Sequence, residues 1–293
     1  MPYHFQGLAL PESQEREALY AALSSLQIDE GASGELADYL NADFLRFLYT
    51  LALVPDGEGR GLEIGANPYF MTALLRMRRP GYSFDLVNYF EGWSDQISQR
   101  VRWITGDRSY DEPLTSANVN LEAGATPFED QRFSVILFCE VLEHFTADPV
   151  RALRELRRLL KPDGVLVLTT PNVARYENVA ALLDGRNLYD PYSGYGPHGR
   201  HNREYNRHEL HQLMRHCGFE PDFDFTSDVH AIGGGYLPAS DVEALLAHIP
   251  HRENDLGQYL FSRWRKGDAP KPGLPAWLYR SYPTDQLVGQ DAS

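Results

Sequence analysis

A short apolar run that ends in an acid and a glycine, with a helical pattern following at once, leaves a chain few folds to adopt. Residues 60–70 read Arg-Gly-Leu-Glu-Ile-Gly-Ala-Asn-Pro-Tyr-Phe. Leu62 and Ile64 mark a buried strand and Gly65 a turn, and Phe70, Leu74, Leu75 and Met77 then recur at helical spacing. Strand, glycine turn and helix form the opening unit of a nucleotide-binding α/β sheet. Gly65 lets the backbone approach a ligand where a Cβ would collide, and Glu63 stands where the strand end meets that ligand. A tight turn with no ligand fits the stretch equally well, so the other segments must decide.

Those segments continue the alternation. Residues 82–90 form a second strand. A polar group near its end, about 20 residues past the glycine turn, is placed to meet ribose hydroxyls. Asn88 is the preferred residue for this and Asp85 its rival. Residues 100–107 and 117–122 both have strand character. The second is taken as the third sheet strand and the first as an inserted hairpin arm. Residues 132–139 are a buried strand, 147–160 a helix stopped by Lys161-Pro162-Asp163-Gly164, and 165–170 the next strand. Strands alternating with helices predict a mostly parallel sheet with helices on both faces. Before this core, residues 12–26 and 37–53 each carry one apolar face, Leu40, Phe44, Phe47, Leu48 and Leu51 in the longer. After it come a polar loop over 184–207, a helix over 209–217 closed by Gly218, and an apolar strand over 258–264. The expected organisation is an N-terminal helical cap (1–57), a core (58–219), and a C-terminal completion of the sheet with an extension (220–293).

The bulk numbers narrow the function classes. A chain of 293 residues with 43% apolar residues can bury a large core, and a net charge of −14 disfavours a nucleic-acid partner. The arginines between 151 and 161 read as a solvated helix face. Two cysteines, Cys139 and Cys217, without a C-x-x-C pair argue against a disulfide framework or a thiolate zinc site. The absence of a leader-like N-terminus and of a bilayer-length apolar run predicts a cytoplasmic protein without membrane insertion. Oligomeric state is not legible.

Taken in order, several pieces resemble the class I S-adenosylmethionine-dependent methyltransferases, over residues 60–219. They are Leu62-Glu63-Ile64-Gly65-Ala66, then Thr126-Pro127-Phe128 with Arg132-Phe133-Ser134-Val135-Ile136, then Cys139-Glu140-Val141-Leu142-Glu143-His144-Phe145, then residues 156–164 and Thr169-Thr170-Pro171-Asn172. A nicotinamide oxidoreductase would share the first unit but gives no reason for the later ones. The resemblance implies a Rossmann-like, seven-stranded methyltransferase fold with S-adenosylmethionine as cofactor. It places Glu63 and Gly65 at the methionine end, Ala66 and Asn67 at the cofactor as well, Asn88 at the ribose, Asn120 and Leu121 at the adenine, and Cys139 and Glu140 beside the sulfonium. The chain departs from the family pattern in having Asn67 and Pro68 where later glycines stand, and Asn88 and Asn120 where acids stand.

In methyl transfer the cofactor supplies reactivity and the protein supplies alignment and, for a hydroxyl acceptor, deprotonation. Glu140, Glu143 and His144 form E-x-x-E-H, and His201-Asn202-Arg203-Glu204-Tyr205 follows much later. This pairing resembles metal-dependent O-methyltransferases of ubiquinone biosynthesis and of small-RNA ends, which implies Glu140, Glu143, His144 and His201 as ligands of Mg²⁺ or Mn²⁺. Without a metal, His201 or His144 is the candidate general base. His208, His211 and His216 read as helix-surface residues. The aromatic, basic loop, with Tyr192, Tyr195, Arg203 and Tyr205 as candidate substrate contacts, suits a sugar ring, since tyrosine offers an apolar face and a polar tip. Residues 199–205 resemble methyltransferases of bacterial surface-polysaccharide synthesis. The expected activity is O-methylation of a sugar, glycoconjugate or other small polar acceptor. A quinone- or catechol-like acceptor and a non-catalytic cofactor-binding scaffold are the alternatives.

Overall fold

Alternate residues of one central strand serve two different cores. In the computed structural model, Val135 and Leu137 pack into one hydrophobic cluster, and Ile136 and Phe138 into another on the opposite face. A strand buried on both faces must be continuously apolar, which is how Phe133–Cys139 reads. The structure describes residues 3–29, 33–231, 238–246, 252, 254–283 and 285–289. Residues 232–237, 247–251, 253, 284 and 290–293 of the expected extension lie outside the described residues.

In chain order the elements are α1 (Ser13–Ser24), β1 (Gln27–Ile28), α2 (Ser33–Leu53), β2 (Gly59–Ile64), α3 (Phe70–Arg78), β3 (Tyr82–Asn88), β4 (Gln96–Thr105), β5 (Arg108–Asn118), β6 (Phe133–Cys139), α4 (Pro149–Leu159), β7 (Leu160–Pro171), α5 (Tyr176–Leu183), α6 (Arg207–His216), β8 (Phe219–Ser227), α7 (Ala239–Leu246), β9 (Tyr259–Lys266), and two short strands, β10 (Leu274–Pro275) and β11 (Leu287–Val288). Nine strands make one sheet in the order β1-β4-β5-β3-β2-β6-β7-β9-β8. The run β5-β3-β2-β6-β7 is parallel, while β9 runs antiparallel to both its neighbours. The count exceeds the expected seven because β4 folds back on β5 and β1 adds to its outer edge.

The third sheet strand is β5, which joins β3 through Ser116, Ala117 and Asn118. It therefore precedes the expected 117–122, and Asn120 and Leu121 fall in the turn after it. The hairpin arm is real, as β4, and is pinned by Trp103 stacked on Tyr110 at 4.4 Å.

α1, α2 and α3 cover one face. Phe47 of α2 meets Phe70 of α3 at 5.7 Å, and Tyr49 meets Phe261 of β9 at 5.1 Å. Each fully buried ring or leucine here contributes about 1.5–3 kcal/mol. α4 and α6 cover the other face. Asp148 caps α4 with Pro149 at its first position, Asn206 caps α6, and Gly218 at φ +81° ends α6. Of the α4 arginines, Arg151 is exposed as expected, whereas Arg154 and Arg157 are a correction to the solvated face. Arg154 donates to the carbonyls of Lys271 and Gly273, and Arg157 to those of Gly218, Gly267 and Asp268, so they fasten the C-terminal segment. His216 is likewise corrected. It is buried, with Nε2 against the Gly273 carbonyl. No helix among the described residues is long and apolar enough to cross a membrane.

Candidate active site

At the end of β2 the chain turns through Gly65 at φ +72°, and a Cβ there would stand 2.8 Å from Val141 Cγ2. The turn is braced from β3 and the hairpin. Asn88 Oδ1 accepts from the Asn67 amide (2.9 Å), Asn88 Nδ2 donates to Ser116 (3.0 Å), and Gln99 holds both Asn67 and Tyr69. These side-chain bonds hold the turn where the sequence lacks the later glycines. Asp85, the rival to Asn88, is engaged with Arg60 and Arg132 and does not line the cleft.

Two hollows meet at Ile64 and Gly65. One of about 170 Å³ is lined by Gly65, Asn88, Asn120, Leu121, Glu140 and His144, together with Tyr89 and His198. The smaller one is lined by Glu63, Gly65, Ala66, Asn67 and Cys139, together with Tyr39 and Arg46 from α2. Every residue expected at the cofactor thus borders one of these two spaces. A bare Cα at Gly65, between a mainly apolar hollow and a smaller one that carries Glu63, Asn67 and Arg46, suits a ligand with a flat ring at one end and charged groups at the other. Tyr39 and Arg46 were not anticipated. Their one trace in the sequence is a charge, Arg46, set within the apolar stripe of α2. Burial, only partly offset by Thr72 and Arg76, pushes the Glu63 carboxyl up to about 8.

Beyond β6 the chain enters a 3₁₀ turn, Leu142–His144, and the distant loop over 184–206 is stitched to it. The Asn202 and Arg203 amides donate to the Glu143 carbonyl (2.7 and 3.2 Å), and Asn202 Nδ2 donates to the His144 carbonyl (2.9 Å). His201 is thereby brought beside His144, the rings edge to face at 5.1 Å. His144 Nδ1 donates to the Arg200 carbonyl (3.0 Å), an acceptor only. His201 Nδ1 is 2.9 Å from Glu204 Oε1. When each ring is neutral and its Nδ1 carries the proton, its Nε2 holds a lone pair. Glu143 is wholly buried, with Oε2 accepting from Thr170 and Oε1 making no hydrogen bond, 3.8 Å from His144 Nε2. Burial and then Glu140 raise the Glu143 carboxyl. Burial lowers His144. For His201 burial acts the same way, but the bond to Glu204 and the charge of Glu143 outweigh it and leave that pKa raised.

Donor atoms of Glu143, His144 and His201 all lie within 4.8 Å of one another. Glu140, expected with them, is not in this group. Its carboxylate accepts from Thr169 at 2.7 Å and faces Arg46.

His201 also borders a third, polar hollow of about 350 Å³, lined by Arg175, Glu177, Asn178, Asn187, Asp190, Asn202 and Glu204 among others. None of the four expected substrate contacts lines it. Tyr192 and Tyr195 are 94% and 89% exposed on the loop surface. Arg203 pairs with Glu209 and lies over Tyr205 and Trp277. Tyr205 is a correction. It is 2% exposed in the core under α6, because its strand-like bridge to Asn172 turns the ring inward. Asn202 and Glu204 come from the segment singled out in the sequence, but the other acidic and amide residues of this hollow are scattered over residues 177–190 and formed no motif.

A sheet of this order, parallel through its core, with a glycine turn at the end of β2 and an E-x-x-E-H turn after β6, is that of a class I S-adenosylmethionine-dependent methyltransferase. The family model described as a methyltransferase domain matches residues 34–222, and the chain belongs to that family. Its methyl donor is S-adenosylmethionine. Among solved structures, a chain of the complex between the Haloferax volcanii Trm112 methyltransferase activator and a methyltransferase is 16% identical, covering 80% of this chain and 95% of that one at a TM-score of 0.51. A Burkholderia thailandensis 1,6-didemethyltoxoflavin-N1-methyltransferase is 18% identical over 81% and 92% of the two chains at a TM-score of 0.43. These likenesses concern the fold alone. No curated protein matches the sequence.

Proposed function

We propose that this methyltransferase acts on a hydroxyl of a sugar, glycoconjugate or similarly polar small acceptor in the cytoplasm. The observation that carries the reading is the position of the His144–His201 pair. It forms a wall between the hollow suited to the nucleoside and the polar hollow beside Glu204. Carboxylates, amides and guanidinium groups lining one space can accept from and donate to a polyol's hydroxyls, whereas a flat apolar ring would leave them unpaired.

The bound cofactor supplies a methyl group activated by its sulfonium. The chain's own residues hold the two reactants in line and keep an unprotonated nitrogen at the acceptor oxygen. His201 is the group for this. Glu204 orients its ring, and Arg175 in turn engages Glu204. Glu143 Oε1, His144 Nε2 and His201 Nε2 are also suited to hold a divalent cation, with Mn²⁺ favoured over Mg²⁺ by the two imidazoles. The orphaned buried oxygen of Glu143 supports that fit, and such a cation would acidify a bound hydroxyl.

Labelled methyl transfer from S-adenosylmethionine to a panel of hexosides and sugar nucleotides, with Mn²⁺ and with EDTA, tests the reading. Transfer to a sugar hydroxyl is expected. Transfer only to catechols or quinols would replace the acceptor class. Tight product binding with no transfer to any acceptor would favour the scaffold alternative.

A further inference from the structure

Arg46 is 5% exposed within the apolar stripe of α2, yet its guanidinium reaches three polar groups. Nε donates to Asp43 and Nη2 to the Tyr39 hydroxyl, each at 2.7 Å. Nη1 approaches Glu140 Oε1 only to 3.9 Å. Phe47 and Tyr259 flank the group with their rings. Arg46 therefore sits on the boundary of two spaces. It lines the small hollow with Glu63, Gly65 and Asn67, and it faces Glu140, which lines the nucleoside hollow three residues before Glu143.

One guanidinium serves the two carboxylates of Asp43 and Glu140, with His230 Nε2 a further 3.9 Å from Asp43. A further carboxylate entering the small hollow would compete for the loosely held Nη1. In a low-dielectric setting, a carboxylate that loses its counter-charge is costly unless another cation replaces it.

We propose that Arg46 links the two binding events of this site. The carboxylate of the cofactor's amino-acid portion takes the Nη1 edge of Arg46, Glu140 loses its partner, and the uncompensated Glu140 raises the affinity of the Glu143–His144–His201 group for a divalent cation. The inference rests on the cation reading above and adds an order to it, cofactor before cation. Arg46 is a positioning residue for the cation and a direct contact of the cofactor.

Calorimetric titration of the full chain with Mn²⁺ tests this with no reaction taking place. It is run without nucleoside, with S-adenosylhomocysteine, and with 5′-methylthioadenosine, which lacks the amino-acid portion. S-adenosylhomocysteine should tighten Mn²⁺ binding about tenfold, within the usual range of coupling between sites, and methylthioadenosine should leave it unchanged. Arg46→Met, at an S-adenosylhomocysteine concentration shown to saturate it, should bind Mn²⁺ equally with and without the nucleoside. Should that variant not fold, Glu140→Gln, which keeps the Arg46–Asp43 pair, should lose the tightening too. Mn²⁺ binding of equal strength in all three states of the unmodified chain overturns the linkage but leaves the cation. Equal tightening by both nucleosides overturns the role of the carboxylate. No Mn²⁺ binding in any state removes the cation reading itself, and the linkage with it.

Discussion

Glu204 holds the His201 ring by its Nδ1 at 2.9 Å, and Arg175, from the segment leading into α5, engages the other oxygen of the same carboxylate. The histidine is thus aimed by a chain of two charged groups rather than by packing. Whether its Nε2 takes a proton or a cation, it must first be unprotonated. Methyl transfer should therefore fall as pH drops through the raised His201 pKa. Glu204→Gln removes the bond that opposes the burial effect, so the acid limb of the rate profile should move to lower pH while the plateau falls about 10–100-fold, as for other groups that orient a reactive histidine. A pH–rate profile of both proteins reads both effects.

Glu63 gives a pH dependence of stability instead. Its carboxyl moves from an ordinary 4.5 to about 8 on folding, so the folded chain holds a proton that the unfolded chain releases. The stability this contributes is full below the unfolded value and is lost as pH rises through about 8. Urea unfolding between about pH 5 and about pH 9 should show a decline that Glu63→Gln flattens. S-adenosylhomocysteine, whose ammonium would favour ionised Glu63, should release protons on binding near neutrality. Calorimetry in buffers of different ionisation enthalpy measures that release.

Gly65→Val places a β-branched residue at φ +72° with its Cβ 2.8 Å from Val141 Cγ2. The left-handed backbone alone costs about 1–3 kcal/mol, and the added methyls project where the two hollows meet. Loss of S-adenosylhomocysteine binding, with a lowered unfolding midpoint, is expected. Normal binding would mean that the nucleoside lies elsewhere.

Tyr205 and Tyr192 should separate cleanly, although both are tyrosines of the same segment. Tyr205→Ala empties a core position and should destabilise the fold by about 3–5 kcal/mol. Tyr192→Ala, at a residue 94% exposed, should leave stability within about 0.5 kcal/mol. Denaturant unfolding of the two variants decides it.

His201→Ala should abolish methyl transfer while leaving S-adenosylhomocysteine affinity within about threefold, since the ring borders the polar hollow rather than the nucleoside hollow. Parallel rate and binding measurements would take His201 out of the chemistry if the rate persisted.

Strands buried on both faces announce themselves by apolar runs, broken here near their ends by Glu63 and by Thr169 and Thr170, which is why β2, β6 and β7 were legible. β8 was not. It is an edge strand whose Phe219, Phe223 and Phe225 are interrupted by Pro221 and acids. α5 is short and follows an Asn172 loop, so its period barely develops. The residues lining the two hollows at Gly65 were readable because they cluster at strand ends in sequence. The polar hollow was not, because it arises only when residues 184–206 dock on the Leu142–His144 turn. Tyr205 misled for a related reason, since its polar neighbours Arg203 and Glu204 hide a ring that points the other way.

The two-residue strand β1 bears on how the molecule avoids sticking to itself. β4 runs for ten residues along the margin of the sheet, and β1 pairs with it only at Arg102 and Val101. Such a margin is a template on which a foreign strand can grow. Here Arg102 is tied to Asp29, and both Arg100 and Arg102 lie against Asp111. An incoming chain would have to strip water from these charges and displace β1. A small patch of backbone pairing, fenced by ionised side chains, thus shields this border of the sheet from amyloid-like growth.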